Sequence, residues 1–252
     1  MKERRKGLLW EMALILLTVA ACLYSTGAGN IFGAKVDWSS QHSVFPEYFR
    51  QQFYRTGQFF PEFALNIGGG QNIYNFSYYG LFSPVVLIGY LLPNVKMSDY
   101  MMVASIVCLA AAVIILYRWL KSREFTAAVS GMTALMFLFA GPMIYQSSHQ
   151  IMFVNYMPFL ILAFLFLDQI LDVRKAAKYR FRPHVGLVIS LFFCILHSFY
   201  FFPSCFLACI LYISHLLPEH LKNVPARMQK KRKCKIWWNY IVDVSFAVSM
   251  NL

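Results

Sequence analysis

Long uncharged stretches alternate with short clusters of basic residues along most of the chain. The first apolar stretch covers residues 8–27, and another covers residues 100–117, between Asp99 and Arg118. A helix needs about 20 apolar residues to cross the hydrocarbon core of a bilayer. Each of these two stretches therefore predicts one membrane-spanning helix. A cleaved signal peptide is the alternative for the first, but its apolar part is longer than such peptides have.

Two longer uncharged stretches each predict a pair of helices. Residues 125–167 are too long for one helix, and their polar residues cluster at 141–150, where we expect the break. Residues 183–218 would extend about 54 Å as a single helix, against a hydrocarbon core of about 30 Å. Pro203 lies near the middle of this stretch, so we expect two short helices and a tight turn around residues 199–204.

Two further apolar segments do not fit a full span. Residues 81–93 are only 13 long, so we interpret them as a re-entrant or interfacial segment. Residues 236–252 predict a seventh helix that stops early, with Asp243 inside it. The chain is therefore expected to be an N-terminal fragment of a longer protein and to be inactive alone.

Composition supports a membrane protein. Apolar residues make up 59% of the chain and charged residues 13%, whereas an ordinary soluble domain has about 25% charged residues. The chain is also too hydrophobic for a disordered protein. Five of the six cysteines lie in apolar stretches and no CxxC pair exists, which favours packing over zinc binding or disulfides. The predicted fold class is all-α, a polytopic membrane helix bundle with six full spans and a truncated seventh.

The basic residues predict the direction of the spans. With the N-terminus in the cytoplasm, 19 of the 23 Lys and Arg residues fall in inside segments and 4 fall outside, as the positive-inside rule requires. This explains the net charge of +12 without a nucleic-acid partner. The predicted organisation is a cytoplasmic start and first span at 1–29, an outer loop at 30–98, five further spans at 99–217, a basic cytoplasmic loop at 218–235 and the truncated span at 236–252.

The outer loop is unusually aromatic, with 16 Phe, Tyr or Trp residues. Phe45, Tyr48, Phe49 and Phe53 follow the spacing of one helix face, and Gly57 is a typical helix end. This pattern predicts an interfacial helix that lies on the outer membrane surface with its aromatic face down. The loop is then either a packed cap over the helix bundle or the wall of a site for an amphiphilic substrate.

Charged residues of the loop supply the candidate chemistry. Asp37 follows the first span closely, and no DxD pair accompanies it, so a bound divalent metal has no clear support. Arg50 and Arg55 lie on the predicted interfacial helix. They are able to bind a phosphate group, or to contact lipid headgroups.

Four segments resemble the YfhO family of bacterial multi-pass membrane proteins. The most specific features are the spacing from Asp37 to Gln41 and the run from Tyr79 to Pro84, while His42 stands where the family commonly has Tyr. The resemblance covers roughly residues 8–217, and family members are longer. The segments read VDWSSQHSVFPEYFRQQFYRTG, NIGGGQNIYNFSYYGLFSPVVLIGYLLP, SSHQIMFVNYMPFLILAFLFLDQIL and ILHSFYFFPSCFLACILYI.

The resemblance implies a function and a set of site residues. The family looks like a branch of the C-type glycosyltransferases, which transfer sugars from polyprenyl-phosphate donors to acceptors on the outer face. Asp37 is then the catalytic base, and Gln41, His42, Arg50 and Arg55 bind substrate. The implied partners are membrane lipids, a polyprenyl-phosphate-linked sugar as donor and a cell-envelope polymer as acceptor, in the bacterial plasma membrane, with no separate cofactor. Two alternatives stay open: a lipid or polymer transporter, and a non-catalytic membrane assembly protein.

Overall fold

The protein is mostly helical. The computed structural model describes residues 2–26, 37–149, 151–171 and 182–221. Its α-helices are α1 (Lys2–Thr26), α2 (Val44–Thr56), α3 (Pro84–Gly89), α4 (Met97–Ser122), α5 (Ala127–Leu138), α6 (Gly141–His149), α7 (Met157–Leu171), α8 (Arg182–His197) and α9 (Phe202–Leu221). The helical fold class is confirmed for these residues. The predicted seventh helix and residues 222–235 of the basic loop predicted at 218–235 lie outside them.

Short elements connect the longer helices. A π-helical turn, Trp38–His42, comes before α2, and 3-10 helices are present at Ile73–Tyr79 and Ile151–Val154. Two antiparallel strands of two residues each, β1 (Phe63–Ala64) and β2 (Gln71–Asn72), form a hairpin between α2 and α3. The chain divides into two compact units, Met1–Pro158 and Phe159–Leu252.

Two helices of the described part are long and apolar enough to cross a membrane. These are Arg5–Tyr24 within α1 and Met97–Ser122, which is α4, and they confirm the helices predicted at 8–27 and 100–117. The remaining apolar helices have 10–17 residues, or about 15–26 Å at 1.5 Å per residue. They are Ala127–Leu138, Met157–Leu171, Arg182–His197 and Phe202–Pro218.

The stretch at 125–167 differs from its prediction. The expected break at 141–150 is instead a helix, α6, and the 3-10 helix Ile151–Val154 follows it before α7 begins. Polar residues do not by themselves end a helix. Pro142 is tolerated because it occupies the first turn of α6, where a missing N–H leaves no hydrogen bond unmade.

The second helix pair is confirmed. α8 ends at His197 and α9 begins at Phe202, so the turn lies at 198–201, close to the predicted position. Pro203 is the second residue of α9. Its fixed backbone angle suits the start of a helix and is disfavoured in the interior of one, which is why a single long helix does not form.

Two contacts hold α1 against its neighbours in the first unit. Gly131 of α5 lies directly against the indole of Trp10, so closely that a Cβ atom at this position would overlap the ring. Arg118 of α4 donates two hydrogen bonds to the Glu11 carboxylate, with N–O distances of 2.8 Å each. This ion pair was not predicted from the sequence, because the two residues are far apart along the chain.

The second unit has a core formed by α7, α8 and α9. Tyr212 of α9 donates a hydrogen bond of 2.5 Å to the Asp168 carboxylate of α7. Cys194, Cys205 and Cys209 carry thiols, not disulfides, and are buried, where the thiols pack as small apolar groups. The buried apolar residues of this core are Ala163, Leu167, Leu187, Leu191, Cys209 and Ile213.

The contact between Gly131 and Trp10 generates a stability prediction. Gly131→Ala should lower the free energy of unfolding by about 1–3 kcal/mol, because the added methyl group must displace the indole. Thermal unfolding of the purified protein in detergent measures the change. Gly141→Ala is the matched control, since nothing lies within 4 Å of the Cβ position there. In a Trp10→Leu background the loss caused by Gly131→Ala should shrink, and an undiminished loss would contradict the proposed clash.

Candidate functional site

The predicted aromatic stripe on α2 is present, but it faces the protein. The Phe45 ring centroid lies 4.9 Å from that of Phe76 and 4.4 Å from that of Tyr79, both on the 3-10 helix Ile73–Tyr79. Phe53 stacks on Tyr90 at 5.3 Å. The expectation that this face lies on the membrane surface is therefore wrong. Both alternatives for the loop, a packed cap over the helix bundle and the wall of a site for an amphiphilic substrate, agree with this packing.

The ends of α2 follow the prediction. Gly57 ends the helix in the left-handed conformation, with φ of 72°, and its N–H donates to the Phe53 carbonyl at 2.8 Å. Glycine is favoured there because it has no Cβ atom to clash. Pro46 lies in the first turn and is buried. The sequence pattern thus predicted α2 correctly, but not the surface against which its aromatic face packs.

Arg50 joins α2 to the start of α4. Its side chain is 6% exposed, and its Nη1 donates to the carbonyl oxygens of Leu92 and Val95, at 2.7 Å each. Its Nη2 donates to the Glu47 carboxylate, which also accepts from the Met97 N–H at 3.3 Å. We therefore assign Arg50 to the structure of the loop. That its guanidinium also binds a substrate phosphate stays a prediction.

The other predicted arginine lies at the surface. Arg55 belongs to the last turn of α2 and is exposed. The two arginines have different surroundings because a helix places residues five positions apart about 140° apart around its axis. Only Arg55 of this pair presents its charge to solvent or headgroups.

The π-helical turn brings three of the predicted site residues together. Asp37 immediately precedes the turn and is half-buried. The Gln41 side-chain oxygen accepts a hydrogen bond of 2.9 Å from the Tyr79 hydroxyl. His42 is buried, and the Ser43 N–H donates to the Trp38 carbonyl at 3.0 Å, which closes the turn. Turns of this kind are rare and occur frequently at functional sites.

Three aromatic rings surround the imidazole of His42. The ring centroids of Tyr78, Tyr79 and Phe153 lie 5.6, 5.2 and 5.1 Å from that of His42. The two tyrosines come from the 3-10 helix of the outer loop, and Phe153 comes from the 3-10 helix after α6. Residues from three separate parts of the first unit therefore form one aromatic site.

Burial sets the charge state of this histidine. It holds the pKa of His42 below its usual value, while the negative charge of nearby Asp37 acts in the opposite direction. Burial dominates, because a charged imidazole would lose more hydration than a single half-buried carboxylate restores. The imidazole is therefore neutral at pH 7. It presents one nitrogen as a donor and the other as an acceptor.

Several residues of the site were not predicted. Trp38 lies beside the predicted Asp37 in the sequence. Tyr79, with Tyr78 next to it, begins the run to Pro84, which is one of the most specific features of the resemblance. Phe153 lies in another segment that resembles the YfhO family. Residue type gave no signal, because 17% of the chain is aromatic. Only the resemblance marked these positions.

The arrangement combines a proton acceptor with apolar walls. A carboxylate next to a neutral imidazole can accept a proton from a bound hydroxyl group. Aromatic faces suit the C–H groups of a sugar ring or an isoprenoid chain. In the ranges that the structure describes, no three His, Cys, Asp or Glu side chains are grouped to hold a metal ion.

Comparison with known families identifies the class of protein. The chain matches the family model of the bacterial membrane protein YfhO over residues 12–251. Because the match covers nearly the whole chain, the protein belongs to the YfhO family of bacterial membrane proteins, and the predicted resemblance is confirmed. A search of curated proteins and a search of solved structures found no match.

The position of Arg50 generates a second stability prediction. Arg50→Gln should lower the free energy of unfolding by about 3 kcal/mol, since it leaves Glu47 and two backbone carbonyls without their donor. Thermal unfolding and limited proteolysis of the outer loop measure the effect. Arg55→Gln, the same change on the exposed side of the helix, should stay within about 0.5 kcal/mol of the native protein. Equal effects of the two changes would contradict the structural role of Arg50.

Proposed function

We propose that this protein is a glycosyltransferase of the bacterial plasma membrane, which moves a sugar from a polyprenyl-phosphate donor to a cell-envelope polymer on the outer face. The observation that supports the proposal best is the position of Asp37. Its carboxylate lies near the buried, neutral His42, at the start of a π-helical turn and beside an aromatic site. Membership of the YfhO family agrees with this choice.

Asp37 acts as the general base in the proposed reaction. It accepts the proton of the acceptor hydroxyl while the oxygen attacks the anomeric carbon of the donor sugar. The bond from that carbon to the phosphate oxygen breaks, and the polyprenyl phosphate leaves with the bonding electrons. Attack opposite the leaving group inverts the configuration at the anomeric carbon. A single carboxylate is sufficient for a direct displacement of this kind.

The proposed topology has six spans with the N-terminus in the cytoplasm. They are α1, α4, α5, α7, α8 and α9, of which α1 and α4 have the full length. The four shorter helices cross where the bilayer thins locally or where flanking residues extend the span. α3 has only six residues, which agrees with an interfacial or re-entrant segment. The excess of basic residues on the inside sets the direction.

Thiol labelling tests this topology. Gln58 in the outer loop and Lys121 near the end of α4 are both exposed. Cysteines at these two positions should therefore differ in reactivity only because of the membrane. In a Cys234→Ser background, Gln58→Cys should react with an impermeant maleimide on intact cells. Lys121→Cys should react only after permeabilisation. Reaction of Lys121→Cys on intact cells would contradict the proposed direction of α4.

Substitution of Asp37 tests the proposed chemistry. Asp37→Asn is nearly isosteric and should lower transfer by roughly 10²–10⁴-fold, the usual contribution of a positioned base. The assay measures transfer of radiolabelled glucose or N-acetylglucosamine from polyprenyl phosphate to a cell-envelope fraction. Thermal unfolding should show that the variant is folded.

Glu62→Gln is the matched control, because Glu62 is an exposed carboxylate of the same loop. It should leave transfer close to the native rate. Glu47→Gln should reduce transfer only as far as it reduces stability, through its contact with Arg50. Transfer that survives Asp37→Asn but is lost in Glu62→Gln would mean that the wrong carboxylate was chosen. If no carboxylate of the loop matters, a lipid or polymer transporter becomes the better explanation.

A further inference from the structure

Two ring nitrogens on the π-helical turn are buried without a hydrogen-bond partner among the described residues. Trp38 is 1% exposed and His42 is 2% exposed. The unpaired atoms are Nε1 of Trp38 and Nδ1 of His42. Native proteins pair nearly all of their buried polar groups, and an exception calls for a physical explanation. A bound ligand that supplies the missing partners is one such explanation.

The two side chains start from the same face of the turn. Trp38 and His42 are four residues apart, and residues at this spacing lie on one face of a helical turn. Asp37, the proposed base, immediately precedes Trp38 and influences the imidazole of His42 electrostatically. The unpaired nitrogens and the carboxylate thus share one neighbourhood.

The pair of atoms fits a hydroxyl group. The indole N–H of Trp38 can only donate a hydrogen bond. Nδ1 of a neutral imidazole accepts one when the proton is on Nε2. A hydroxyl accepts from the indole and donates to the imidazole at the same time. A fully ionised phosphate can only accept, so it pairs with the indole N–H of Trp38 and leaves the accepting nitrogen of His42 unpaired.

Charge also favours a neutral ligand. The charged group that acts on His42 is the Asp37 carboxylate, which would repel a phosphate. The guanidinium of Arg50 is committed to Glu47 and to backbone carbonyls, as described above. The rings of Tyr78, Tyr79 and Phe153 offer apolar faces around the imidazole. A hydroxylated ring with apolar C–H faces meets all of these conditions.

We propose that Trp38 and His42 form the subsite that binds the neutral pyranose ring of a sugar, with one sugar hydroxyl bridging the two ring nitrogens. This inference rests on the proposed function, because it assigns the sugar of that reaction to a place beside Asp37. Tyr78 and Tyr79 are only partly buried. Movement of their side chains opens the site, and their rings then stack on the sugar.

Binding of simple glycosides to the whole chain in nanodiscs tests the proposal. The probes are methyl glucoside, methyl N-acetylglucosaminide, inorganic phosphate and geranyl phosphate, measured by saturation-transfer NMR. A glycoside should bind the native chain. Trp38→Phe and His42→Phe each keep an aromatic ring and remove a polar nitrogen. Each should weaken that binding by about three- to tenfold, the contribution of one hydrogen bond.

Trp119→Phe is the matched control, because it makes the same change at the far end of α4 and should leave binding unaltered. Glycoside binding that is equally strong in Trp38→Phe and His42→Phe would overturn the subsite. So would a native chain that binds phosphate or geranyl phosphate but no glycoside, or that binds none of the four probes.

A second measurement does not depend on the stability of the variants. With ¹⁵N-labelled indoles in the native chain, a saturating glycoside should shift one of the five tryptophan N–H signals, and no shift would count against the proposal. The outcome is separable from that of the proposed function. Loss of transfer in Asp37→Asn, together with unaltered glycoside binding in Trp38→Phe and His42→Phe, rejects the subsite and keeps the base. Glycoside binding that requires Trp38 and His42, together with transfer that is indifferent to Asp37, rejects the base and keeps the subsite.

Discussion

The burial of the Arg50 guanidinium determines the geometry of the outer loop. A buried cation requires hydrogen-bond partners, and Arg50 obtains three of them, from Glu47 on its own helix and from two carbonyls that precede α4. These contacts fix α2 relative to the start of α4. The aromatic stripe on α2 then packs against the 3-10 helix Ile73–Tyr79 through Phe45. One ionic contact and one aromatic contact together set the position of the candidate site.

This packing determines the chemical environment of the candidate site. The 3-10 helix that packs against Phe45 also contacts the π-helical turn. Tyr79 donates a hydrogen bond to Gln41, and the rings of Tyr78 and Tyr79 lie against His42. Apolar surroundings keep the imidazole of His42 neutral beside the Asp37 carboxylate. A neutral donor–acceptor beside one carboxylate suits proton transfer from a hydroxyl better than it suits the binding of an anion. The scaffold thus limits the reactions that the loop is able to support.

Local patterns in the sequence predicted the parts of the fold that depend on local physics. The spacing of Phe45, Phe49 and Phe53 with Gly57 predicted α2, and Pro203 predicted the division between α8 and α9. The hairpin was missed because strands of two residues are too short to show alternation. α6 was missed because its polar residues resemble a loop. In each case the error concerned a short element whose form depends on its neighbours.

The site was predicted only in part, for a related reason. Asp37, Gln41 and His42 lie within one turn, so the sequence already placed them together. The approach of Phe153 to His42 joins residues more than a hundred positions apart, which no local pattern reveals. The sequence showed that Arg50 lies three residues after Glu47. It did not show that Arg50 is buried, because its burial depends on where α4 begins. Long-range packing determines which polar residues of the loop are buried and which are exposed.

The open surface of α1 has a consequence for how the protein is assembled. Little of its apolar surface is buried against the rest of the described chain, so most of this surface is free for lipid or for further helices. We expect such a helix to insert by itself before α4 and α5 are synthesised, and to dock against them in a second, later stage. The flat surface that Gly131 presents to Trp10 then acts as a recognition point between helices that have already inserted. Docking then relies on the close fit of Gly131 and Trp10 together with the ion pair between Glu11 and Arg118.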